Sequence, residues 1–378
     1  MSKVAVIKCD EYKLEEVKKA IRRGLDLLGG IERFVKKDDK VLLKPNMLSA
    51  KEASKHVTTH PTVLESIAEI LLEDGYQDVS FGDSPAKDSE EKTAQINGLA
   101  QAGVNAGINQ VDMSYGKTVG FPKGHQCKRF EIAQAVIDSD SIISLSKMKT
   151  HQLTRITGAV KNTFGCVYGL NKAAMHTSFP NAIDFSKMLV DLNLLLKPKL
   201  YIMDGITAME GNGPGSGDPI KMGVILISDD PVAIDATFCK LIDLNPKFIP
   251  TITYGSHWGL GVYEKSNIEY LGDNLEQFIN KDFDVVRATV QAELPKITSL
   301  VRRLALRKPY IIQDECIKCG QCIEVCPAKP KALSRLNKTD IPKYDYSKCI
   351  RCYCCQETCP AEAIDVKTPL LGKLFFYN

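Results

Sequence analysis

The stretch KVAVIKCDEYKLEEVKKAIRRGLDLLGG, Lys3 to Gly30, changes its period halfway along. Val4 to Ile7 form an unbroken apolar run of strand length. Leu14, Val17, Ile21, Leu25 and Leu28 then recur at helical spacing until Gly29 and Gly30 end the pattern. The same order returns downstream. KVLLKPN (40–46) and QDVSFGD (77–83) read as strands around the helical HPTVLESIAEILLEDG (60–75), which has Pro61 in its first turn and Gly75 past its end. SIISLSK (141–147), KLYIMDG (199–205) and GVILISDD (223–230) read as further strands, with helices at 181–197 and 231–242. Asp230 and Pro231 make a favourable helix start. Strands alternating with helices predict an α/β fold, with a mainly parallel sheet covered by helices on both faces. The near-continuous apolar character of the strands fits burial on both sides.

The polar residues fall into order on that frame. Lys44 and Asn46 end the second strand, Asp83 and Ser84 the third, and Asp204 the strand LYIMD. Lys147, Lys149 and His151 follow SIISLS. Open α/β sheets bind ligands outside the carboxyl ends of their strands. Lys44, Asn46, Asp83, Lys147, Lys149 and Asp204 are therefore expected to bind substrate, and His151 and Lys161 to act on it. SKMKTHQLTRITGAVKNTFG, 146–165, contains no acidic residue and reads as one wall of an anion-accepting cleft. The bland reading is that polar residues merely terminate buried strands. GAVKNTFG could instead open a helix that points amides at an anion. The glycine-rich DGITAMEGNGPGSGDP, 204–219, lacks the Gly-Lys-Ser/Thr ending of a phosphate loop and reads as a lid or a plain loop. His56 and His60 read as helix-entry residues.

The chain of 378 residues is 44% hydrophobic and 25% charged, with net charge +3, so it can bury a full core and carries too little charge to imply nucleic acid. Its start reads as a strand rather than a secretory leader, and no apolar run is long enough to span a bilayer. A cytoplasmic location is expected. Nine of its thirteen cysteines lie within 316–359. CIKCGQCIEVCP and CIRCYCCQETCP both read C-x2-C-x2-C-x3-C-P. In that spacing three thiolates of a tight loop reach one iron–sulfur cube, and the fourth reaches the other. A zinc ribbon is the competing reading, but it would leave four cysteines without work. Cys354 is left over and reads as packing.

The cysteine-rich end resembles the bacterial two-cluster ferredoxin module over 310–366. The resemblance implies two [4Fe–4S] clusters, one on Cys316, Cys319, Cys322 and Cys359, the other on Cys349, Cys352, Cys355 and Cys326. Its fold would be a small α+β unit. Residues 305–378 hold twelve Lys or Arg against eight Asp or Glu. Two clusters of about −2 each would roughly cancel this excess, and the surface reads either as a basic exterior suited to an acidic redox donor such as a soluble ferredoxin or as an ordinary mixed surface.

Taken together, LLKPN, HPTVLESIAEIL, GDSP, the basic stretch, YIMDGITAMEGNGPGSG and SDDPVAIDA resemble the family catalogued as domain of unknown function 362. Many of its members resemble this chain in carrying such a module. The expected organisation is an α/β domain over 1–300, a basic linker at 301–309, the module at 310–366 and a tail at 367–378. A helical connector is expected around 283–308. A fainter likeness, in His151, Lys161 and His176, is to the nickel-pincer lactate racemases. It would make Lys161 the cofactor attachment site, His151 a proton shuttle and His176 a metal ligand.

Three functions follow as alternatives. The first is an iron–sulfur reductase that delivers electrons to an anionic small molecule in the cleft. The second is a non-enzymatic electron carrier or maturation partner that docks another protein. The third is non-redox, isomerase-like chemistry with the clusters regulatory.

Overall fold

A computed structural model describes residues 1–85, 88–169, 171–288, 305–370 and 372. Residues 289–304 of the expected connector and linker, and 371 and 373–378 of the tail, lie outside the described residues.

The expected alternation is present. Strands β1 (Ser2–Lys8), β2 (Val41–Pro45), β3 (Val79–Phe81), β4 (Asn109–Gln110), β7 (Ser141–His151), β8 (Arg155–Thr157), β9 (Leu200–Glu210), β10 (Asp218–Ser228) and β11 (Ile268–Gly272) form one sheet. Its order is β11-β1-β10-β9-β7-β2-β3-β4, with β8 paired to the end of β7. Two further strands, β5 (Gly116–Gly120) and β6 (Arg129–Ala133), make a separate hairpin. β9, β7, β2, β3 and β4 run parallel, as do β1 and β11. β10 is antiparallel to both of its neighbours. Apolar runs do not encode direction, but the connection does. β9 and β10 are joined by 211–217, far shorter than a parallel crossover requires.

Alternate residues of each strand feed two cores. Val4 and Val6 of β1, Leu42 of β2, and Tyr201 and Met203 of β9 pack with α8 (Ala182–Leu196) and α9 (Pro231–Leu241). Ala5, Ile7, Val41, Leu43, Leu200 and Ile202 pack with α1 (Leu14–Leu27) and α2 (Pro61–Glu73). The period of two thus divides one sheet between two helical layers.

The cysteine-rich end is a small separate core of Cys322, Leu333, Cys355 and Ile364. β12 (Lys308–Ile311) pairs with β15 (Ile364–Lys367), and β13 (Leu333–Ser334) with β14 (Lys343–Tyr344). Both cysteine loops follow one backbone path. Lys318 and Arg351, the residues before each second motif cysteine, have φ of 59° and 63°. Gly320 and Tyr353, the residues after it, have 82° and 63°. Each loop then enters a single helical turn, Gln321–Glu324 or Cys354–Glu357.

Candidate functional site

Lys147, Lys149 and His151 lie at alternate positions of β7 and are fully buried. A register shift between β7 and β9 at Lys147/Lys149 leaves Lys147 opposite Asp204. Lys147 Nζ lies 2.8 Å from Asp204 Oδ2 and donates to the Tyr12 hydroxyl at 2.9 Å. Tyr12 in turn donates to Asp204 Oδ1 at 2.8 Å, and the His60 amide donates to Oδ2 at 3.1 Å. His60 also caps α2, its Nδ1 accepting from the Thr62 amide, and its ring stacks on Tyr12 at 3.7 Å. Burial draws the Lys147 ammonium below its usual range, while Asp204 opposes that shift. Asp204 stays an anion: burial works against it, but Lys147 and the hydrogen bonds around it outweigh burial.

Lys44 makes the second pair. Its Nζ lies 2.8 Å from Asp83 Oδ1 and donates to Asn162 Oδ1 at 3.1 Å. Gly165 passes against this pair, and a Cβ there would lie 1.7 Å from Asp83 Oδ1 and 2.8 Å from Lys44 Nζ. Gly165→Ala is expected to cost about 1–3 kcal/mol, the usual range for overpacking. An unchanged melting temperature would contradict that close approach.

Two expected anion-binding lysines therefore already face carboxylates of the chain itself. Lys149 is different. Its Nζ donates to Asn46 Oδ1 at 2.7 Å and to the Val57 carbonyl at 2.6 Å, both neutral acceptors. Burial, and then the neighbouring charges of Lys161 and Lys147, push its ammonium well down.

GAVKNTFG does open a short helix, Ala159–Asn162, whose leading amides meet an anion. That anion is internal. The Ala159 and Val160 amides donate to Asp235 of α9 at 2.6 and 3.2 Å. Burial pushes the Asp235 carboxyl up to about 7. Gly158 allows the contact, because a Cβ there would lie 1.9 Å from Asp235 Oδ1. Lys161, on the same turn, points elsewhere. Among the described residues it makes no ion pair, and burial lowers its pKa while Glu357 opposes the shift.

Glu357 belongs to the second cysteine motif, between Cys355 and Cys359. It lies against the α/β part, with Oε1 3.0 Å from His151 Nε2. His151 Nδ1 accepts from the Leu153 amide at 3.0 Å, so the ring proton sits on Nε2, which lies 3.0 Å from Glu357 Oε1 but is not aligned to hydrogen-bond with it. Burial and Lys161 hold His151 down at about 4, hence neutral. His151, Lys161 and His176 hold Glu357 ionised against the opposing effect of burial. His176 is buried, stacked on Phe185 at 4.4 Å, with an unpaired Nδ1, and burial lowers it to about 4. Gln152 Oε1 and Gln356 Oε1 are also buried without partners. The two parts of the chain thus meet at a cluster of polar groups that act on one another electrostatically. The cluster comprises Lys149, His151, Lys161 and His176 on one side and Glu357 on the other.

The glycine-rich segment secures this junction rather than swinging over an open cleft. Gln356 donates to the Asn212 carbonyl at 2.8 Å, Asn212 to the Ile364 carbonyl at 3.0 Å, and Gln152 to Asn212 Oδ1 at 3.0 Å. Lys51 pairs with Glu362 at 2.7 Å, and Thr177 reaches the Pro327 carbonyl at 3.4 Å. Glu357, Gln356 and Asn212 escaped the sequence reading because contacts across separate parts of a chain leave no period. Tyr12 escaped it because it reads as the entry to α1.

In the cysteine-rich part, Cys316, Cys319, Cys322 and Cys359 line one small cavity. Three come from the first motif and one from the second. Soft thiols converging on one hollow from wound loops fit an iron–sulfur cube. Cys349, Cys352 and Cys355 lie together, and Tyr344 Oη is 3.2 Å from Cys355 Sγ. Cys326 Sγ accepts from the Ala332 amide at 3.4 Å. Cys354 is half-buried beside Cys352. Among the described residues no group of three or more His, Cys, Asp or Glu is arranged to hold a single metal ion. No helix among them is long and apolar enough to cross a membrane.

Comparison with known proteins adds the following. Residues 41–240 match the profile of a family described as domain of unknown function (DUF362), and residues 308–360 that of a 4Fe-4S dicluster domain. The chain is similar to "Thylakoid-associated protein sll1697" of Synechocystis sp., with 34% identity over 258 residues, 68% of this chain and 79% of that protein. Two solved structures are similar in part. A lactate racemase apoprotein from Thermoanaerobacterium thermosaccharolyticum gives a TM-score of 0.41 at 10% identity over 64% of this chain. A Thermotoga maritima protein gives 0.37 at 13% identity over 60%. The chain spans 57% of the length of each.

Proposed function

The chain belongs to the DUF362 family and ends in a 4Fe-4S dicluster domain, and on that premise we propose that it is a ferredoxin-fused reductase acting on an anionic small molecule. The observation that carries this reading is Glu357, which joins a cysteine motif to His151 at 3.0 Å, beside two lysines without carboxylates of their own. Two [4Fe–4S] clusters, one on Cys316, Cys319, Cys322 and Cys359 and one on Cys349, Cys352, Cys355 and Cys326, would supply electrons one at a time. We assign the α/β domain to 1–300 and the module to 310–366.

The chain's own residues do the rest. Lys149 and Lys161 attract the anionic group, whose charge would add to that of Glu357 in offsetting theirs. They also favour negative charge developing on a carbonyl or similar oxygen. Neutral His151 offers its Nε2–H as a hydrogen-bond donor to that oxygen, and the Lys161 ammonium, made more acidic by burial, supplies the proton. Lys44, Asn46, Asp83, Lys147 and Asp204 position this surface. Lys149, His151 and Glu357 are buried, so charge interactions among them are stronger than in water.

The test uses anaerobic protein reduced with dithionite and freed of excess reductant. It is mixed with a panel of anionic carbonyl compounds while its visible absorption is followed. At least one compound should reoxidise the wild type, and Lys161→Ala and His151→Ala should respond at least about tenfold more slowly. Reoxidation by a viologen should be equal in all three. Equal rates with every compound would remove the proposal.

A further inference from the structure

The two cysteine sets differ in what remains open to a partner. Cys352 and Cys355 are buried, and the turn that carries Cys355 grips the α/β part through Gln356 and Glu357. Cys319 is exposed. Beside it Ile317 is 65% exposed, and Leu336 is 97% exposed. Large apolar side chains left this open next to a functional group mark contact surfaces when they share one face.

They do share one. Arg335 donates to the Lys318 carbonyl at 2.6 Å and to the Lys338 carbonyl at 2.7 Å, which ties the loop holding Leu336 to the first cysteine loop. Pro342, at the far end of the same segment, lines the cavity together with Ile317 and Cys319. The segment Lys329–Lys343 carries five Lys or Arg and a single acid, Asp340. That acid is occupied by the Asn337 amide at 2.8 Å. Lys318, Lys338 and Lys343 are exposed and form no ion pair among the described residues.

We propose that the face formed by Ile317, Lys318, Leu336 and Lys338 is the docking surface for an acidic one-electron carrier protein. This rests on the reductase reading and names its electron donor by chemical class. The apolar pair supplies a small dry centre and the lysines a cationic rim, the arrangement that steers an acidic partner. In each encounter the carrier is oxidised by one electron and the module reduced by one. No bond changes and no proton moves.

The test measures binding of an acidic plant-type ferredoxin to the cluster-loaded protein by titration calorimetry, with a basic c-type cytochrome as control. The ferredoxin should bind and the cytochrome should not, and affinity should fall as salt rises. Leu336→Glu and Lys338→Glu should each weaken binding about tenfold, equivalent to about 1.4 kcal/mol. Lys247→Glu, on the lysine-rich surface of the α/β part, should leave it unchanged. Absorption of the clusters and their reduction by dithionite should match wild type in all three variants. Absence of ferredoxin binding, unaltered affinity in both module variants, or an equal loss in Lys247→Glu would each overturn the proposal. Because binding is read without substrate, its failure leaves the substrate reading standing, and failure of substrate reoxidation leaves the docking face standing.

Discussion

Asp204→Asn lowers the stability of the α/β part by about 3–5 kcal/mol, the range found when one partner of a buried ion pair is removed. The cause is what remains. Lys147 is fully buried, and among the described residues its ammonium hydrogen-bonds to Asp204 and the Tyr12 hydroxyl. Asparagine preserves the shape of Asp204 but leaves that ammonium without a counter-charge. The melting temperature should fall on the order of ten degrees. Lys147→Met with Asp204→Asn should recover most of the loss, because an unpaired charge costs more than an absent pair. The pH dependence follows in sign. Burial lowers the Lys147 pKa below its unfolded value, so the unfolded chain binds the extra proton over the window between them. Stability of the single variant therefore rises as pH rises through that window, and its deficit against wild type shrinks. If the single and double variants melt together at every pH, the buried pair is not what Asp204 is for.

Cys359→Ser is expected to remove the same cluster as Cys316→Ser, although the two cysteines belong to different motifs. Iron should fall from about eight to about four per chain in either variant. The double variant should hold about four as well, since both changes strike one cluster. Cys326→Ser should instead match Cys349→Ser, and pairing it with Cys359→Ser should abolish iron binding. The cavity lined by Cys316, Cys319, Cys322 and Cys359 motivates this exchange of fourth ligands. Iron analysis and low-temperature electron paramagnetic resonance after reduction would check it. If Cys359→Ser and Cys349→Ser share a phenotype while Cys316→Ser differs, each motif serves its own cluster.

Much of this molecule can be read without coordinates, and the limits have physical causes. Lys3–Gly30 announces a strand and then a helix because burial selects different periods in each. His60 reads as a helix start because capping is local chemistry. Lys44, Asp83, Lys147 and Asp204 stand out because they interrupt apolar strands at one edge. Their pairing is not visible, because partners 39 and 57 positions apart meet only once the strands are in register. The antiparallel course of β10 is hidden for a related reason: a strand buried on both faces reads alike in either direction. Glu357 is the extreme case, since a glutamate among cysteines looks like solvent-facing filler until its contact with His151 is seen.

The turn Cys354–Glu357 serves two masters, carrying a cysteine of the second motif and the two side chains that clasp Asn212 and His151. Injury to the inorganic part by oxygen would therefore not stay there. On the proposed ligand set, loss of iron at Cys355 would slacken the clasp, so that poisoning by air would disarm the proposed chemistry and disconnect its electron supply in a single event.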